Sequence, residues 1–241
     1  MDSPDQFPVE HGFRVRGAGI SRIDVFSDVV FAFSLVLLAV SLTVPRTSRA
    51  SQESIVGFVT LAICFAMILG GWFSHYVFFR RYGLRDRFTI ILNSCLLFLI
   101  LFCVYPLKFL FATISGYLFR DSSGSWLLTA IQINGRLALY ALGFTTVFLL
   151  VAALYWNAWR HRDSLALNGV ERLLTVSSIV DALGLAAIGL IACLGGLILP
   201  SAWCAYSAVF YVLIVPWKTL NSLYFGRKAR TLRKLVAAPT L

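Results

Sequence analysis

The sequence predicts an all-α integral membrane protein with six transmembrane helices. Three observations carry that class. Hydrophobic residues make up 59% of the 241 residues and charged residues only 13%, with a mean hydropathy of +0.81, a balance outside the range of soluble domains. The apolar residues gather into runs of about 20 or more, each long enough to cross a hydrocarbon core of ~30 Å as a helix. Polar or charged turns separate the runs.

The runs fall at roughly 22–44, 55–79, 88–114, 135–157, 173–199 and 202–225. Pro45–Glu53 and Arg80–Arg87 separate the first three, and Trp159–Arg172 and Leu199-Pro200-Ser201 the last three. Ser115–Arg136 is the longest connection and is expected on the membrane surface. Pro106 and Pro216 fall inside runs, where kinks are expected. This divides the chain into a cytoplasmic N-terminal tail (1–20), a six-helix transmembrane domain (21–226) and a basic cytoplasmic C-terminal tail (227–241).

Orientation follows from Lys and Arg. With the N-terminus inside, the inner segments carry 16 of the 21 basic residues, which puts both termini in the cytoplasm. The formal charge of +10 therefore reports topology rather than nucleic-acid binding. The cluster from Arg227 to Lys234 reads as an inside anchor near anionic lipid. The first 20 residues are polar and hold no apolar run, so no cleavable signal is expected. Cys64, Cys95, Cys103, Cys193 and Cys204 all lie within apolar runs and read as small apolar residues. His11, His75 and His161 are too scattered for a metal site. No metalloprotease, nucleophile-elbow, Walker or dinucleotide-binding motif occurs, so nothing argues for an enzyme or a bound cofactor.

The chain is organised around Ser21–Leu42, which starts charged and ends apolar. Phe26, Phe33, Leu37 and Val40 share one helical stripe, and Ser27, Ser34 and Ser41 recur every seven residues beside it. A serine stripe lets another helix approach closely; either stripe also suits the lining of a pore. Asp28 lies about two turns inside the helix, where an ionisable group requires a partner or a water-filled cavity. At about 1.5 Å per residue, Asp28, His75, Asn93 and Asp181 fall at similar depths from the cytoplasmic face. Arg22 reaches the same layer from below. Two readings fit: a polar staple that fixes helix packing, and a proton or ion relay using a histidine that titrates near neutral pH.

Arg22-Ile-Asp-Val-Phe26-Ser27-Asp28 matches the RxxxFSD signature of the endosomal/lysosomal potassium channel family of the transmembrane protein 175 type. Trp72 and His75 in WFSHYVFFRR follow in order, then Asp86, Asn93 and Pro106. Over residues 20–110 the chain resembles the prokaryotic branch, which has one six-helix repeat per chain. The resemblance implies a homotetrameric cation channel of a prokaryotic cell membrane, with potassium as the permeant ion. Four first helices would line its pore, and Phe33, Leu37 and Val40 would form a hydrophobic constriction, with Ser34 and Ser41 as hydroxyl lining. Arg22, Phe26, Ser27, Asp28, His75 and Asn93 would belong to the network that holds the pore helix. Two positions depart from the family pattern: Phe33 replaces an aliphatic residue and Val36 a Thr or Ser. Ser34 lies about 160° round the helix from Val36 and does not take its place. A proton-coupled transporter using Asp28, His75 and Asp181 is the alternative, and a structural membrane protein without flux is the third.

Overall fold

The computed structural model describes residues 8–10, 12–40, 50–118, 125–198 and 210–237, with backbone alone at 50–57, 59–60, 63, 105–118, 125–137 and 235–237. Ser41 lies outside the described residues. A two-residue hairpin, β1 (Val9–Glu10) paired antiparallel with β2 (Phe13–Arg14), precedes α1 (Arg22–Val40), α2 (Ala50–Tyr82), α3 (Arg87–Leu118), α4 (Ser125–Arg160), α5 (Gly169–Ile198) and α6 (Ile214–Ala237). Among the described residues, four stretches are long and apolar enough to cross a membrane: Arg22–Val40, Arg87–Val104, Ala138–Arg160 and Gly169–Ile198.

The helices form two groups. Helices α1, α2 and α3 pack on one another, and α5 packs against both α4 and α6; contacts of α3 with α4 join the groups. The α4–α5 interface is made close by small residues. Ala138, Ala141, Ala192 and Cys193 are buried there, and a Cβ on Gly189 would come within 2.6 Å of Thr145 Oγ1. Without a hydrophobic force between helices in lipid, such close approach supplies the association.

Three stretches outside the apolar runs have more structure than their polarity alone indicates. The connection at 115–136 is largely helical, because α3 runs to Leu118 and α4 starts at Ser125. Polar residues there end the apolar run but not the helix, whose backbone hydrogen bonds are internal and survive outside lipid. The N-terminal segment is held to the bundle: Phe13 and Val15 are buried, at 1% and 3% exposure, and the hairpin packs against the start of α5. Helix α6 continues unbroken through the basic cluster to Ala237. Pro216 stands in the first turn of α6, where its missing N–H costs no helical bond.

Candidate functional site: an anchored helix with an open apolar face

Helix α1 begins at a capping box. Ser21 Oγ accepts the Asp24 N–H at 3.3 Å, and Asp24 Oδ2 accepts from the Ser21 N–H at 3.0 Å and the Ser21 hydroxyl at 2.8 Å. These bonds satisfy donors that every helix start leaves open.

A buried hydrogen-bond chain then joins three helices. His75 Nε2–H on α2 donates to Asn93 Oδ1 on α3 at 2.7 Å. Asn93 Nδ2 donates to Ser27 Oγ on α1 at 3.0 Å, and the Ser27 hydroxyl donates to the Ile23 carbonyl at 2.8 Å. Ser27, Asn93 and His75 are 0%, 2% and 8% exposed. With Asn93 Oδ1 as an acceptor, the histidine tautomer is fixed with its proton on Nε2. Every bond runs in the same direction, so each polarises the next. The rings of Phe31 and Phe79 flank the imidazole at 5.5 and 4.6 Å between centroids.

Of the residues predicted to share this layer, Ser27, His75 and Asn93 do. Asp28 lies beside it and accepts Trp72 Nε1–H at 2.7 Å, while the indole stacks on Tyr76. Arg22 is exposed at the first residue of α1. Asp181 is not part of it. It faces α6, where Lys218 Nζ lies 3.4 Å from its carboxylate. Equal depth does not mean shared neighbours, because α5 packs against α4 and α6 rather than α1. The three residues of the relay reading, Asp28, His75 and Asp181, thus each have a different partner.

The faces of α1 are sharply divided. Ser27, Phe31, Ser34 and Leu38 form its buried seam, with Phe31 and Leu38 packed among Cys64, Ile68, Leu97 and Val104. Ser34 is buried against the bundle and its hydroxyl returns to the Val30 carbonyl. The opposite face is apolar and open: Val25, Phe26, Val29, Phe33, Val36 and Val40 are all at least half exposed, Val40 at 76%. Leu37 differs from the predicted stripe. It is half-buried against the α2–α3 cluster, because four residues beyond Phe33 means about 40° of further rotation, toward the seam.

Sequence reasoning missed a clamp between the N-terminal hairpin and the start of α5. Glu171 is fully buried in the first turn of α5. It accepts from the Arg14 N–H at 2.7 Å and from the guanidinium groups of Arg14 and Arg16 at 3.1 and 2.8 Å. Asn168 caps the helix reciprocally with Glu171, and this Asn-x-x-Glu spacing was the available signal. Thr175, one turn on, meets the Tyr82 hydroxyl at 2.7 Å. Gly17 lies against the end of α2, donating to the Arg80 carbonyl; a Cβ there would come within 2.2 Å of the Phe79 carbonyl oxygen. A second missed junction is Asp86, which caps α3 through Thr89 and accepts from Asn157 of α4. Burial opposes ionisation of Asp86, but these hydrogen bonds outweigh it and hold the carboxyl below its ordinary value. No group of three potential metal ligands occurs among the described residues.

Long apolar helices joined by buried polar ties, with basic helix ends, define a polytopic helical membrane protein. The comparisons then give its family. The model of the endosomal/lysosomal potassium channel TMEM175 matches residues 22–106, which span the anchored helix and both of its polar partners. A protein named potassium channel from Marivirga tractuosa is 35% identical over 232 residues, covering 91% of this chain and 93% of the relative. A protein named potassium channel from Chamaesiphon minutus is 26% identical over 148 residues, covering 58% of this chain and 64% of the relative. The crystal structure of a variant of the potassium channel MtTMEM175, in complex with a nanobody–MBP fusion protein, superposes with a TM-score of 0.72. It is 33% identical and covers 92% of this chain and 99% of its own. The structure of a lysosomal potassium-selective channel TMEM175 homolog from Chamaesiphon minutus shares the fold, with a TM-score of 0.54 at 22% identity over 83% and 96% of the two chains. The chain belongs to the TMEM175 potassium channel family.

Proposed function

We propose that this chain is a potassium channel that conducts passively through a central pore. Four copies assemble, each contributing its first helix to the pore, and six helices of each copy cross a prokaryotic cell membrane with both termini cytoplasmic. The open face of α1 carries this reading. Only 22% of α1 is buried within the chain, against 50% of α5, although its base is tied down by a deeply buried polar chain. A helix that is fixed in rotation yet largely uncovered is suited to face other copies of itself.

In such an assembly Phe33, with Val36 and Val40, forms the constriction, and Leu37 flanks it toward the subunit interior. Apolar rings gate by dewetting, so ring width and polarity set the conduction. Val36 puts a methyl-lined ring where a hydroxyl is expected from the family pattern. The experiment is flux from liposomes containing the purified chain, with potassium compared against sodium and protons. Passive, non-saturating potassium flux supports the reading. Coupled, saturable uptake favours a transporter, and the absence of all cation flux rejects both.

A further inference from the structure

The cytoplasmic end of α6 carries a second surface. Before Gly226 the exposed side chains of this helix include the apolar Val215, Leu220, Leu223 and Tyr224. After it they are mostly cationic: Arg227, Lys228, Arg230 and Lys234 are all exposed. The change falls within one turn, as it does where a helix leaves hydrocarbon for the headgroup layer.

These four cations have no carboxylate to pair with among the described residues. The last 60 residues of the chain contain no Asp or Glu. Among the described residues, four carboxylates elsewhere at this end are already engaged. Glu171 is held by Arg14 and Arg16, Asp163 by Arg172, and Glu10 by Arg80. Asp86 is bound by Thr89 and Asn157. Lys218, the one basic residue on the apolar part of α6, does have a carboxylate, that of Asp181. The contrast separates a charge paired within the protein from four turned outward.

We propose that the Arg227–Lys234 surface of α6 binds the phosphate headgroups of anionic phospholipids, with Leu220, Leu223 and Tyr224 seated in the acyl layer beneath them. Juxtamembrane clusters of this size are attracted to anionic leaflets, each cation contributing about a fivefold gain at low salt. The surface adjoins the pore helix's support. A Cβ on Gly12 of the hairpin would lie 2.1 Å from the Arg233 guanidinium, so the hairpin leading into α1 rests beside this face. This proposal is independent of ion conduction.

The test is lipid retention by the full-length protein in neutral detergent, read by native mass spectrometry. Phosphatidylglycerol is compared with phosphatidylcholine for the parent and for the variant Arg227→Gln/Lys228→Gln/Arg230→Gln/Lys234→Gln. A second variant, Arg227→Lys/Arg230→Lys, keeps the charge, and helicity by circular dichroism checks both folds. Preferential retention of phosphatidylglycerol by the parent is expected, with loss in the Gln variant of at least tenfold and persistence in the Lys variant. Equal retention of the two lipids overturns the proposal. So does unchanged retention in the Gln variant, or displacement by inorganic phosphate as effectively as by lipid, which marks a site for free anions. Preferential capture of a short RNA duplex over phosphatidylglycerol overturns it too. If the Gln variant fails to fold, the parent's lipid preference and its decline with salt decide alone.

Discussion

Removing the Asn93 side chain tests whether the buried chain positions α1. Asn93 both accepts from His75 and donates to Ser27, and the consequences of Asn93→Ala are unequal. Ser27 keeps its bond to the Ile23 carbonyl and is left with only a vacant lone pair. His75 Nε2–H loses its acceptor while buried between Phe31 and Phe79. A stranded buried donor costs about 1–3 kcal/mol; interhelical hydrogen bonds in membranes average ~0.6 kcal/mol, with a maximum near 1.7. The expected destabilisation is therefore about 1–3 kcal/mol. For a chain of this size it lowers the melting temperature by roughly 3–10 °C.

Ser27→Ala removes one acceptor and a bond to its own helix, and leaves the His75–Asn93 pair intact. It does strand the buried Asn93 Nδ2–H, so it too should cost about 1–3 kcal/mol. The assay is thermal unfolding in detergent, followed by tryptophan fluorescence, with a double-mutant cycle on His75→Ala and Asn93→Ala. A coupling energy of about 0.5–2 kcal/mol is expected. A cycle with no coupling would falsify the assignment of His75 as the dependent donor.

Three further outcomes are expected. Glu171→Ala should cost about 3–5 kcal/mol because it strands two largely buried guanidinium groups, whereas Tyr82→Phe removes one hydrogen bond at constant packing and should cost about 1 kcal/mol; unfolding curves of the two variants check the ratio. The Asp86 carboxyl is held below its ordinary value of 3.8, so its stabilisation is complete above that pH and is lost as pH falls from there through the lower folded value. Thermal unfolding against pH should show this loss in the parent and not in Asp86→Asn. On the open face, Phe33→Ala should raise cation flux with little loss of stability, while Leu38→Ala in the seam should cost about 2–5 kcal/mol; paired flux and melting measurements separate the faces, and Ser34→Leu should behave as an overpacked seam residue.

Much of the first half was legible because polar residues are rare in apolar runs. His75 and Asn93 stand out in such runs, and counting residues from the helix ends placed them at one depth. The same counting misplaced Asp181, since depth along the membrane normal carries no information about lateral neighbours. Arg14, Arg16 and Glu171 escaped notice for a different reason. The arginines lie 155 or more residues from the glutamate, and each alone reads as an ordinary charged residue of the cytoplasmic side. Leu37 lies about 40° round the helix from Phe33 and is half-buried, a difference that spacing cannot resolve when every candidate face is apolar.

That ambiguity explains why the anchor matters to α1. From Val29 to Val40 α1 is apolar on all sides except at Ser34. In lipid, no hydrophobic force distinguishes one apolar face from another, so packing energy alone would set its rotation weakly. Each residue of slip would turn the helix by about 100° and carry the open face toward the seam. Ser27 removes this freedom, because only one rotation presents its hydroxyl to Asn93. Ser34, seven residues on, repeats the choice with a small side chain that admits close packing and returns its own hydroxyl to the helix. Gly17 restrains the start of the helix from the other direction by lying on the α2 backbone. The residues that decide which apolar face is open are thus the few that are not apolar, and they sit on the opposite side of the helix from that face.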